Sequence, residues 1–439
     1  MSQDPRKIMN DSSMSAVQII AVAITIGLNA LDGFDVLSIS FASPGIVADW
    51  GIQRGALGIV LSMEMLGMGI GAITLGGLAD KMGRRHTIML CLVLMLIGML
   101  LSANANSIIE LSLFRVLTGL GIGGMLAATN ATVAEFANAK WRTLCVSLMA
   151  IGYPIGATVG GTIASGLLAN NDWQIVFQFG AIVTACFIPL VWFLIPESPS
   201  YLTDKQPKGA LESINKTFKR MGHPHIESLP VLTPAEQAYS VSDIFSPALI
   251  QKTILITLAY FMHIATFYFI LKWVPVIVVD MGFNPSTAGG VLVWANIGGA
   301  IGGGLFGLLA MRYSLRWLTI GVMFISVPMI IIFGNGYTEL STLAIAAASA
   351  GFFTNAGVVG LYTLVATSFP THVRATATGF VIGVGRAGAF VSPIIAGYMF
   401  QSGLGLQTVA IFMACGSLIA GFALIMLGRK LNAASSATA

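Results

Sequence analysis

The chain has 439 residues, of which 56% are hydrophobic and only 9% are charged, with a formal net charge of +4. Soluble globular domains carry about 25% charged residues, so this composition excludes an ordinary water-soluble protein. The 50 glycines are typical of membrane helices that pack closely together. The basic residues are scattered through short loops and form no patch, so nucleic acid is not expected as a partner.

The amino-terminal residues 1–15 are polar, and the apolar run that follows contains acidic residues where a signal peptide would have its small-residue cleavage site. We therefore predict a cytoplasmic tail over 1–15, followed by a spanning helix. A span needs about 20 apolar residues to cross about 30 Å of hydrocarbon. On this criterion the sequence predicts twelve spans, at 16–41, 55–79, 87–103, 108–133, 144–168, 173–195, 254–279, 287–310, 317–334, 341–368, 376–400 and 407–428.

A polar stretch at 197–250 contains six prolines and several lysines, and it separates two halves with equal numbers of spans. We predict that this stretch is a cytoplasmic linker. The amino-terminal six-helix bundle would then occupy 16–196, the carboxy-terminal six-helix bundle 251–430, and a second cytoplasmic tail 431–439.

The distribution of Lys and Arg predicts the orientation, because these residues stay on the cytoplasmic side of a membrane. With the amino terminus inside, Arg54 lies in an outside loop, and Arg115, Lys272 and Arg386 lie within or at the edge of spans. The other eighteen of the 22 basic residues lie on the cytoplasmic side. We therefore predict a multi-pass protein of the bacterial cytoplasmic (inner) membrane with both termini in the cytoplasm.

The two halves of the chain repeat each other. Residues 76–85, between the second and third spans, map onto 307–316, between the eighth and ninth, at an offset of 231. Nearly the same offset, 232, maps Arg142 onto Arg374. Parallel repeats are one design of secondary transporter, with the substrate site near the membrane midplane. We predict an all-α polytopic membrane protein with twelve transmembrane helices in two six-helix bundles related by a pseudo-two-fold repeat.

Three motifs resemble those of the major facilitator superfamily. Gly-Gly-Leu-Ala-Asp-Lys-Met-Gly-Arg-Arg at 76–85 resembles its signature between the second and third helices. The patterns at 115–123 and 152–161 resemble the glycine patterns of its fourth and fifth helices. The resemblance covers essentially the whole chain and implies the major facilitator fold. The second copy of the loop is degraded, since Met311 stands where Asp80 has its counterpart.

Within the superfamily, Leu-Asp-Gly-Phe-Asp at 31–35 resembles the first-helix signature of the aromatic acid:proton symporters. The stretch at 383–388 is similar to that family, and so are 196–199 and 370–376, which related sugar-type porters share. The resemblance implies uptake of a benzoate-like or hydroxybenzoate-like carboxylate by proton symport and alternating access. The partners would be this aromatic carboxylate, the proton as coupling ion and the lipid bilayer. We expect a monomer without any other cofactor.

Asp32 and Asp35 are the proton-coupling candidates. Their i,i+3 spacing places them on one face of the first helix, about 5–6 Å apart at Cβ. Two carboxylates this close repel each other when both are ionised, so they titrate as a coupled pair and one holds a proton more readily. Gly33 between them lets a neighbour approach. We favour Asp32 over Asp35 in this role, and the alternative is a permanent ion pair or a cap at a kink.

His263 is a further proton-coupling candidate, because the repeat offset of 231 maps Asp32 onto it. A histidine there could relay a proton or hydrogen-bond the substrate. The alternative is a histidine that is satisfied by a neighbouring helix.

Arg386 is the candidate for binding the substrate anion, because a guanidinium stays charged and binds a carboxylate through two parallel hydrogen bonds. It lies about ten residues into the eleventh helix, among Gly383, Gly385 and Gly388, which would leave room beside it. The alternative is an ion pair with a first-helix aspartate. Arg115, among the glycines of the fourth helix, is assigned mainly to structure or to a proton-linked network.

An arene ligand favours aromatic stacking surfaces, and an amide in an apolar helix could bind a ring hydroxyl. Further substrate-binding candidates are Phe34, Tyr153, Phe267, Tyr268, Trp294, Tyr362, Asn296 and Asn355. Glu64 is expected to be a second buried acid or to face the outer vestibule. Lys272 is expected near the outside interface, where it could snorkel or form part of an outer gate.

A cytoplasmic gate is predicted where the loop between spans two and three meets the loop between spans four and five. These loops carry Asp80, Arg84, Arg85, Glu135 and Arg142. Ion pairs among them would close the inner side in the outward-open state and break as the protein switches.

Enzymatic function and a metal site are not expected. The four cysteines lie in apolar runs, and the five histidines show no zinc spacing. Drug efflux by proton antiport uses the same fold and is the main alternative function. A cationic drug would favour a buried acid in the second bundle, where this chain offers arginine and histidine. Symport of another small organic anion is the other alternative.

Overall fold

The computed structural model describes residues 4–230, 241–247, 249–369 and 373–437. Predicted features at 231–240, 248 and 370–372 and at the two chain ends lie outside the described residues. A short 3-10 helix, Val241–Phe245, precedes α11. The α-helices are α1 (Pro5–Asp11), α2 (Ala16–Trp50), α3 (Arg54–Thr74), α4 (Ala79–Met82), α5 (Arg84–Ala103), α6 (Ile108–Phe136), α7 (Arg142–Leu167), α8 (Gln174–Leu194), α9 (Pro199–Lys205), α10 (Ala210–Met221), α11 (Ile250–Asp280), α12 (Pro285–Ala310), α13 (Leu315–Gly334), α14 (Leu340–Ser368), α15 (Arg374–Gln401) and α16 (Leu406–Ala437).

Twelve of the described helices are long and apolar enough to cross a membrane, namely α2, α3, α5 to α8 and α11 to α16. They confirm the predicted number and order of spans. Three predicted helix ends were wrong: α2 continues to Trp50 instead of stopping at 41, α3 ends at Thr74 instead of 79, and α16 continues to Ala437 instead of 428. Pro44 lies inside α2, which a membrane helix tolerates because neighbouring groups satisfy the freed backbone. The α3 helix ends where Gly76 and Gly77 form a turn.

The chain divides into two compact units that do not coincide with its two sequence halves. The first unit contains Met1–Ser38, Leu66–Gly160 and Gln174–Glu236, and the second contains Ile39–Met65, Gly161–Trp173 and Gln237–Ala439. The last part of α2, the first part of α3 and the end of α7 therefore belong to the second unit, although the first sequence half encodes them.

Glycines let the helices of the first unit approach each other backbone to backbone. A Cβ added to Gly33 of α2 would lie 2.0 Å from the carbonyl oxygen of Tyr153 in α7. A Cβ added to Gly156 of α7 would lie 1.7 Å from the carbonyl oxygen of Ala30 in α2. Neither distance allows a side chain, so this crossing requires glycine on both helices, as small residues commonly do in membrane helix pairs.

The predicted amino-terminal tail and part of the predicted linker are folded. Ile214, Phe218 and Met221 follow the i, i+4, i+7 spacing of an amphipathic helix, and they form the buried face of α10. That face joins a hydrophobic cluster in the first unit with Met9 of α1 and Phe136 at the end of α6. The linker prediction thus had the correct polarity but missed the helices α9 and α10.

Arg142 and Arg374 have the same local role in the two halves of the chain. Arg142 begins α7, and its Nε donates a hydrogen bond of 2.9 Å to the carbonyl oxygen of Ala134 near the end of α6. Arg374 begins α15, and its Nε donates one of 3.3 Å to the carbonyl oxygen of Phe369 after α14. Each arginine satisfies a carbonyl at the end of the preceding helix, which supports a duplicated unit.

Replacing Gly156 with alanine should destabilise the protein, because the new Cβ would overlap the Ala30 carbonyl oxygen and force α7 away from α2. The expected cost is about 1–3 kcal/mol, which is typical of overpacking. It would appear as a lower midpoint of thermal unfolding for the detergent-purified protein. Gly166→Ala, in the same helix, is the matched control because nothing lies within 4 Å of its added Cβ. Equal midpoints for the two variants would contradict this packing assignment.

Candidate functional site

The carboxylates of Asp32 and Asp35 lie in the interior of the first unit, and both residues are fully buried. The helix α2 that carries them is pressed against α7 at Gly33, the residue between them. One carboxylate oxygen of Asp35 lies 3.3 Å from the position of a Cβ on Gly180 in α8. The side chain of Asp35 therefore faces α8. The predicted close approach at Gly33 is present.

Arg115 lies beside this aspartate pair. Its side chain is fully buried, and its Nη2 donates a hydrogen bond of 3.0 Å to the backbone carbonyl of Asp35. Its Nη1 lies 3.4 Å from the Met99 sulfur, and its guanidinium lies 5.4 Å from the ring centroid of Phe177. The sequence assigned Arg115 to the glycine pattern of its own helix. The fold shows that its charge also lies in the neighbourhood of a proton-coupling candidate.

Phe34 and Tyr153 were predicted to face the substrate, and both lie in the first unit. The Phe34 side chain is only 3% exposed; it packs on Gly160 of α7 and edge-on to Phe179 of α8, at a centroid distance of 5.1 Å. This position is that of a packing residue. Tyr153 is half-buried, and its backbone carbonyl contacts Gly33.

His263 is fully buried in the second unit, and both of its ring nitrogens have partners. Nε2 donates to the carbonyl oxygen of Thr354 in α14 at 2.8 Å, and Nδ1 lies 2.9 Å from the hydroxyl of Ser417 in α16. A neutral ring satisfies both contacts, with Nδ1 accepting from the hydroxyl. The ring thus ties α11 to α14 and α16, which matches the alternative of a satisfied histidine. A proton-coupling role for His263 stays a prediction.

Arg386, on α15 in the second unit, has aromatic neighbours. The ring of Tyr260 in α11 lies on the backbone of Gly385, where an added Cβ would be 1.8 Å from Cδ1 of the ring. Tyr260 also makes an edge-to-face contact with Tyr362 of α14, with ring centroids 5.6 Å apart. We refer to Arg386, Tyr260 and Tyr362 as the tyrosine cluster, in which the Tyr260 ring contacts both Gly385 and Tyr362. The sequence analysis did not name Tyr260. The signal that could have identified it was a tyrosine within an apolar helix.

The glycines around Arg386 have a different role from the one predicted. Gly385 is covered by Tyr260, and a Cβ on Gly388 would lie 2.3 Å from the backbone oxygen of Phe261 in α11. These two glycines therefore let α15 approach α11. Only Gly383, which has nothing within 4 Å of an added Cβ, leaves the predicted room.

Two further substrate-binding candidates in the second unit lie apart from each other, Phe267 on α11 and Trp294 on α12. Phe267 is half-buried and makes an edge-to-face contact with Tyr268 at a centroid distance of 5.4 Å, on the same helix as Tyr260. Trp294, which is 53% exposed, lines a separate pocket of about 630 Å³ between α12 and α14. Neither Arg386 nor Tyr362 lines that pocket.

Both asparagine candidates donate hydrogen bonds within the helix scaffold. The side-chain nitrogen of Asn296 donates to the carbonyl oxygen of Leu292 at 2.9 Å, within α12. That of Asn355 donates to the carbonyl oxygen of Gly299 at 2.7 Å and so crosses from α14 to α12. These contacts explain why polar residues are tolerated in apolar helices.

The residues predicted to form a gate in the first unit are centred on Arg84. Its guanidinium forms ion pairs with Glu135 at 2.8 Å and with Asp80 at 3.1 Å. Arg85 instead donates to the backbone carbonyl of Trp192 and lies over its ring. Arg142 donates to backbone carbonyls at the end of α6 and to Asn10. The structure therefore brings Asp80, Arg84 and Glu135 together, whereas the other two arginines hold helix ends.

Glu197 is a member of this cluster that the sequence analysis did not assign. Its Oε1 accepts the backbone N–H of Arg84 at 2.8 Å, and its Oε2 lies 3.3 Å from Nδ1 of His86. Gly83 adopts a φ of +96° beneath it, where an added Cβ would meet the carboxylate at 2.3 Å. The carboxylate thus caps the amino terminus of α5, where the helix dipole favours a negative charge. Within the described residues, no group of three or more His, Cys, Asp or Glu side chains could hold a metal ion.

Lys272 does not snorkel to the membrane interface. Its side chain is fully buried, and its Nζ lies 3.6 Å from a carboxylate oxygen of Glu64, which is also fully buried. Both residues belong to the second unit. The Glu64 carboxylate supplies the polar partner that the Lys272 ammonium group would otherwise have found at the membrane interface.

Comparisons with known proteins cover almost the whole chain. The sequence model of the Major Facilitator Superfamily matches residues 25–295 and 256–438. The gallate transporter of Pseudomonas putida is 28% identical over 99% of this chain and 98% of its own length. The 3-(3-hydroxy-phenyl)propionate transporter of Escherichia coli is 29% identical over 95% of each chain. The benzoate transport protein of Acinetobacter baylyi is 27% identical over 90% of this chain and 86% of its own length.

Solved structures show the same fold at low sequence identity. The D-xylose-proton symporter has a TM-score of 0.72 at 17% identity, covering 92% of this chain and 96% of its own. A bacterial homologue of the human lysosomal transporter Spinster has a TM-score of 0.72 at 14% identity, covering 94% and 96%.

The two acidic partners of Arg84 should differ in their contribution to stability. Glu135→Gln removes the charge of a carboxylate that is only 19% exposed, whereas the Asp80 carboxylate is 68% exposed. We expect Glu135→Gln to cost about 1.5–3 kcal/mol, the range for a hydrogen bond to a charged group. Asp80→Asn, the matched control, should cost less than about 1 kcal/mol because water screens an exposed pair. Thermal unfolding of the two purified variants measures the difference. A larger loss for Asp80→Asn would contradict this ranking.

Proposed function

Because the chain belongs to the Major Facilitator Superfamily, we propose that it takes up an aromatic carboxylate together with protons by alternating access. The substrate class is that of benzoate and the hydroxybenzoates. The observation that carries the proposal is that Arg386 directly follows Gly385, against which the ring of Tyr260 packs, and that Tyr362 lies edge-on to that ring. Three relatives of similar length are named for gallate, 3-(3-hydroxyphenyl)propionate and benzoate, which are aromatic carboxylates.

The substrate contacts follow from the chemistry of this cluster. The guanidinium of Arg386 binds the carboxylate through two parallel hydrogen bonds. Tyrosine rings offer an edge or a face to the arene, and their hydroxyls can pair with ring hydroxyl groups. The open space next to Gly383 is where the substrate would enter beside Arg386.

The proton contacts are proposed for the first unit. Asp32 and Asp35 are fully buried on one helix, so one shared proton relieves the repulsion between them. Arg115, which hydrogen-bonds the backbone of Asp35, limits the cost of the remaining negative charge. A proton binds this pair and the acid binds Arg386 from the outside, and both leave after the transporter has reoriented towards the cytoplasm.

The membrane orientation belongs to the same proposal. The excess of Lys and Arg in alternate loops supports placing both termini in the cytoplasm of a bacterial cell, with the protein in the inner membrane. On this orientation α3 begins at the outer surface, and the cluster around Arg84 lies at the inner surface.

Replacing Arg386 should abolish uptake. We expect Arg386→Gln to lower gradient-driven uptake roughly 30-fold or more, because removing one partner of a desolvated charge pair costs about 2–5 kcal/mol. Arg386→Lys keeps the charge but loses the two-pronged geometry, so it should retain part of the activity. The measurement is uptake of radiolabelled benzoate, 4-hydroxybenzoate, protocatechuate, gallate and nicotinate into proteoliposomes with an acidic exterior.

Tyr260→Phe and Tyr362→Phe should change the preference between hydroxylated and unsubstituted acids. Tyr313→Phe is the matched control, since that side chain is exposed between α12 and α13. The proposal fails if none of these acids is taken up. Gradient-driven export of a cationic drug would then establish the antiport alternative, and uptake of a non-aromatic acid would establish symport of another organic anion.

Replacing Asp32 should separate coupling from binding. Asn imitates a permanently protonated Asp32, so Asp32→Asn should lose accumulation driven by a proton gradient but keep exchange of labelled for unlabelled acid. Asp11→Asn, at an exposed position at the end of α1, is the control and should keep both activities. Comparing accumulation with exchange in the same vesicles tests this, and undiminished accumulation by Asp32→Asn would rule out its proposed role.

A further inference from the structure

Glu64 and Lys272 form an ion pair inside the second unit, and neither has a role in the proposed binding of substrate or proton. Both side chains are fully buried, with 3.6 Å between Nζ and the nearer carboxylate oxygen. Glu64 lies on the first part of α3, and Lys272 lies on α11. Taking both charges out of water is expensive, so a buried pair is weak evidence for stability, and its best-attested use is to specify register or a switch.

A second ion pair joins the same two helices nearer the membrane surface. Arg54, the first residue of α3, pairs with Asp280, the last residue of α11. The helices run antiparallel, and the two pairs are about 12–15 Å apart along them at 1.5 Å per residue. Arg54 precedes Glu64 on α3, and Lys272 precedes Asp280 on α11, so each charge in these antiparallel segments lies opposite one of the other sign. Sliding one helix past the other breaks both pairs without forming new ones.

The first part of α3 is also packed directly on α15. A Cβ on Gly58 would lie 2.4 Å from the carbonyl oxygen of Pro393, and one on Gly397 would lie 2.5 Å from the carbonyl oxygen of Arg54. The backbone N–H of Gly55 donates to the side chain of Gln401 at 3.0 Å. The segment Arg54–Met65 of α3 is thus held to α11 and α15, the two helices that carry Tyr260 and Arg386.

We propose that the two ion pairs form a latch that closes the transport pathway at the end of the protein where α3 begins. Glu64 and Lys272 form the buried half of this latch, and Arg54 and Asp280 form its rim. The latch has to open whenever the substrate site faces that side, which is the outside in the proposed orientation. This inference rests on the proposed alternating access, but it does not depend on which acid is transported.

Val276→Cys supplies a reporter for the opening of the latch. Val276 lies four residues after Lys272 and four before Asp280, on the same face of α11, and is 2% exposed. The reporter is placed in a variant whose four native cysteines are replaced by alanine. The rate of its reaction with a membrane-impermeant maleimide is measured in intact cells and in everted membrane vesicles.

Glu64→Gln and Lys272→Gln should each raise the labelling rate about tenfold or more from the outside only, because each leaves one buried charge without its counter-charge. The charge-reversed double variant Glu64→Lys/Lys272→Glu should return to slow labelling. Arg54→Gln should have a smaller effect, since its partner Asp280 is half exposed.

The latch is overturned if folded single variants label at the native rate, or if their labelling rises only from the inside. If the single variants do not fold, the double variant decides. A folded double variant with slow labelling supports the latch, and an unfolded or rapidly labelled one overturns it. Labelling as expected without uptake of any acid would reject the proposed substrate class and leave the latch standing.

Discussion

Five charged side chains are fully buried among the described residues, namely Asp32, Asp35, Glu64, Arg115 and Lys272. Each costs about 2.5–3.5 kcal/mol even on the lenient scale for insertion into a membrane helix. Such a cost is met by an opposite charge, by hydrogen bonds, by water or, for a carboxylate, by protonation. The fold brings opposite charges into the same neighbourhood in each unit, with Arg115 at the backbone of Asp35 and Lys272 next to Glu64. The arrangement of helices around these residues follows from that requirement.

Close backbone contact is the second requirement, because charged groups on different helices can meet only when the helices approach closely. Gly33 allows the contact between α2 and α7 at the aspartate pair, and Gly385 and Gly388 allow the contact between α11 and α15 at Arg386. Of the three glycines that we expected to leave space beside Arg386, Gly385 and Gly388 instead allow close packing of the helices. Gly383 is the exception beside Arg386. Space for an arene next to the guanidinium is correspondingly restricted, which is compatible with a flat ring.

The proposed mechanism places proton binding in the first unit and anion binding in the second unit. A guanidinium keeps its charge throughout a transport cycle, whereas a carboxylate pair changes its charge when it takes up a proton. A permanent positive charge suits binding of an anion and a variable charge suits coupling to a proton, and these residue types supply both. His263, with both ring nitrogens engaged by Ser417 and Thr354, is better suited to holding three helices together than to changing its charge.

The sequence by itself determined the membrane class, the twelve spans, the internal repeat and the superfamily motifs. It also singled out Asp32, Asp35 and Arg386 as candidates, because hydropathy and spacing along one helix are local properties. Only the tertiary structure decided which helices meet. It placed Arg115 at Asp35, Tyr260 at Gly385 and Lys272 at Glu64, and it showed that Trp294 lines a separate pocket. Such pairs depend on the rotation and crossing point of each helix, which a uniformly apolar span does not encode locally.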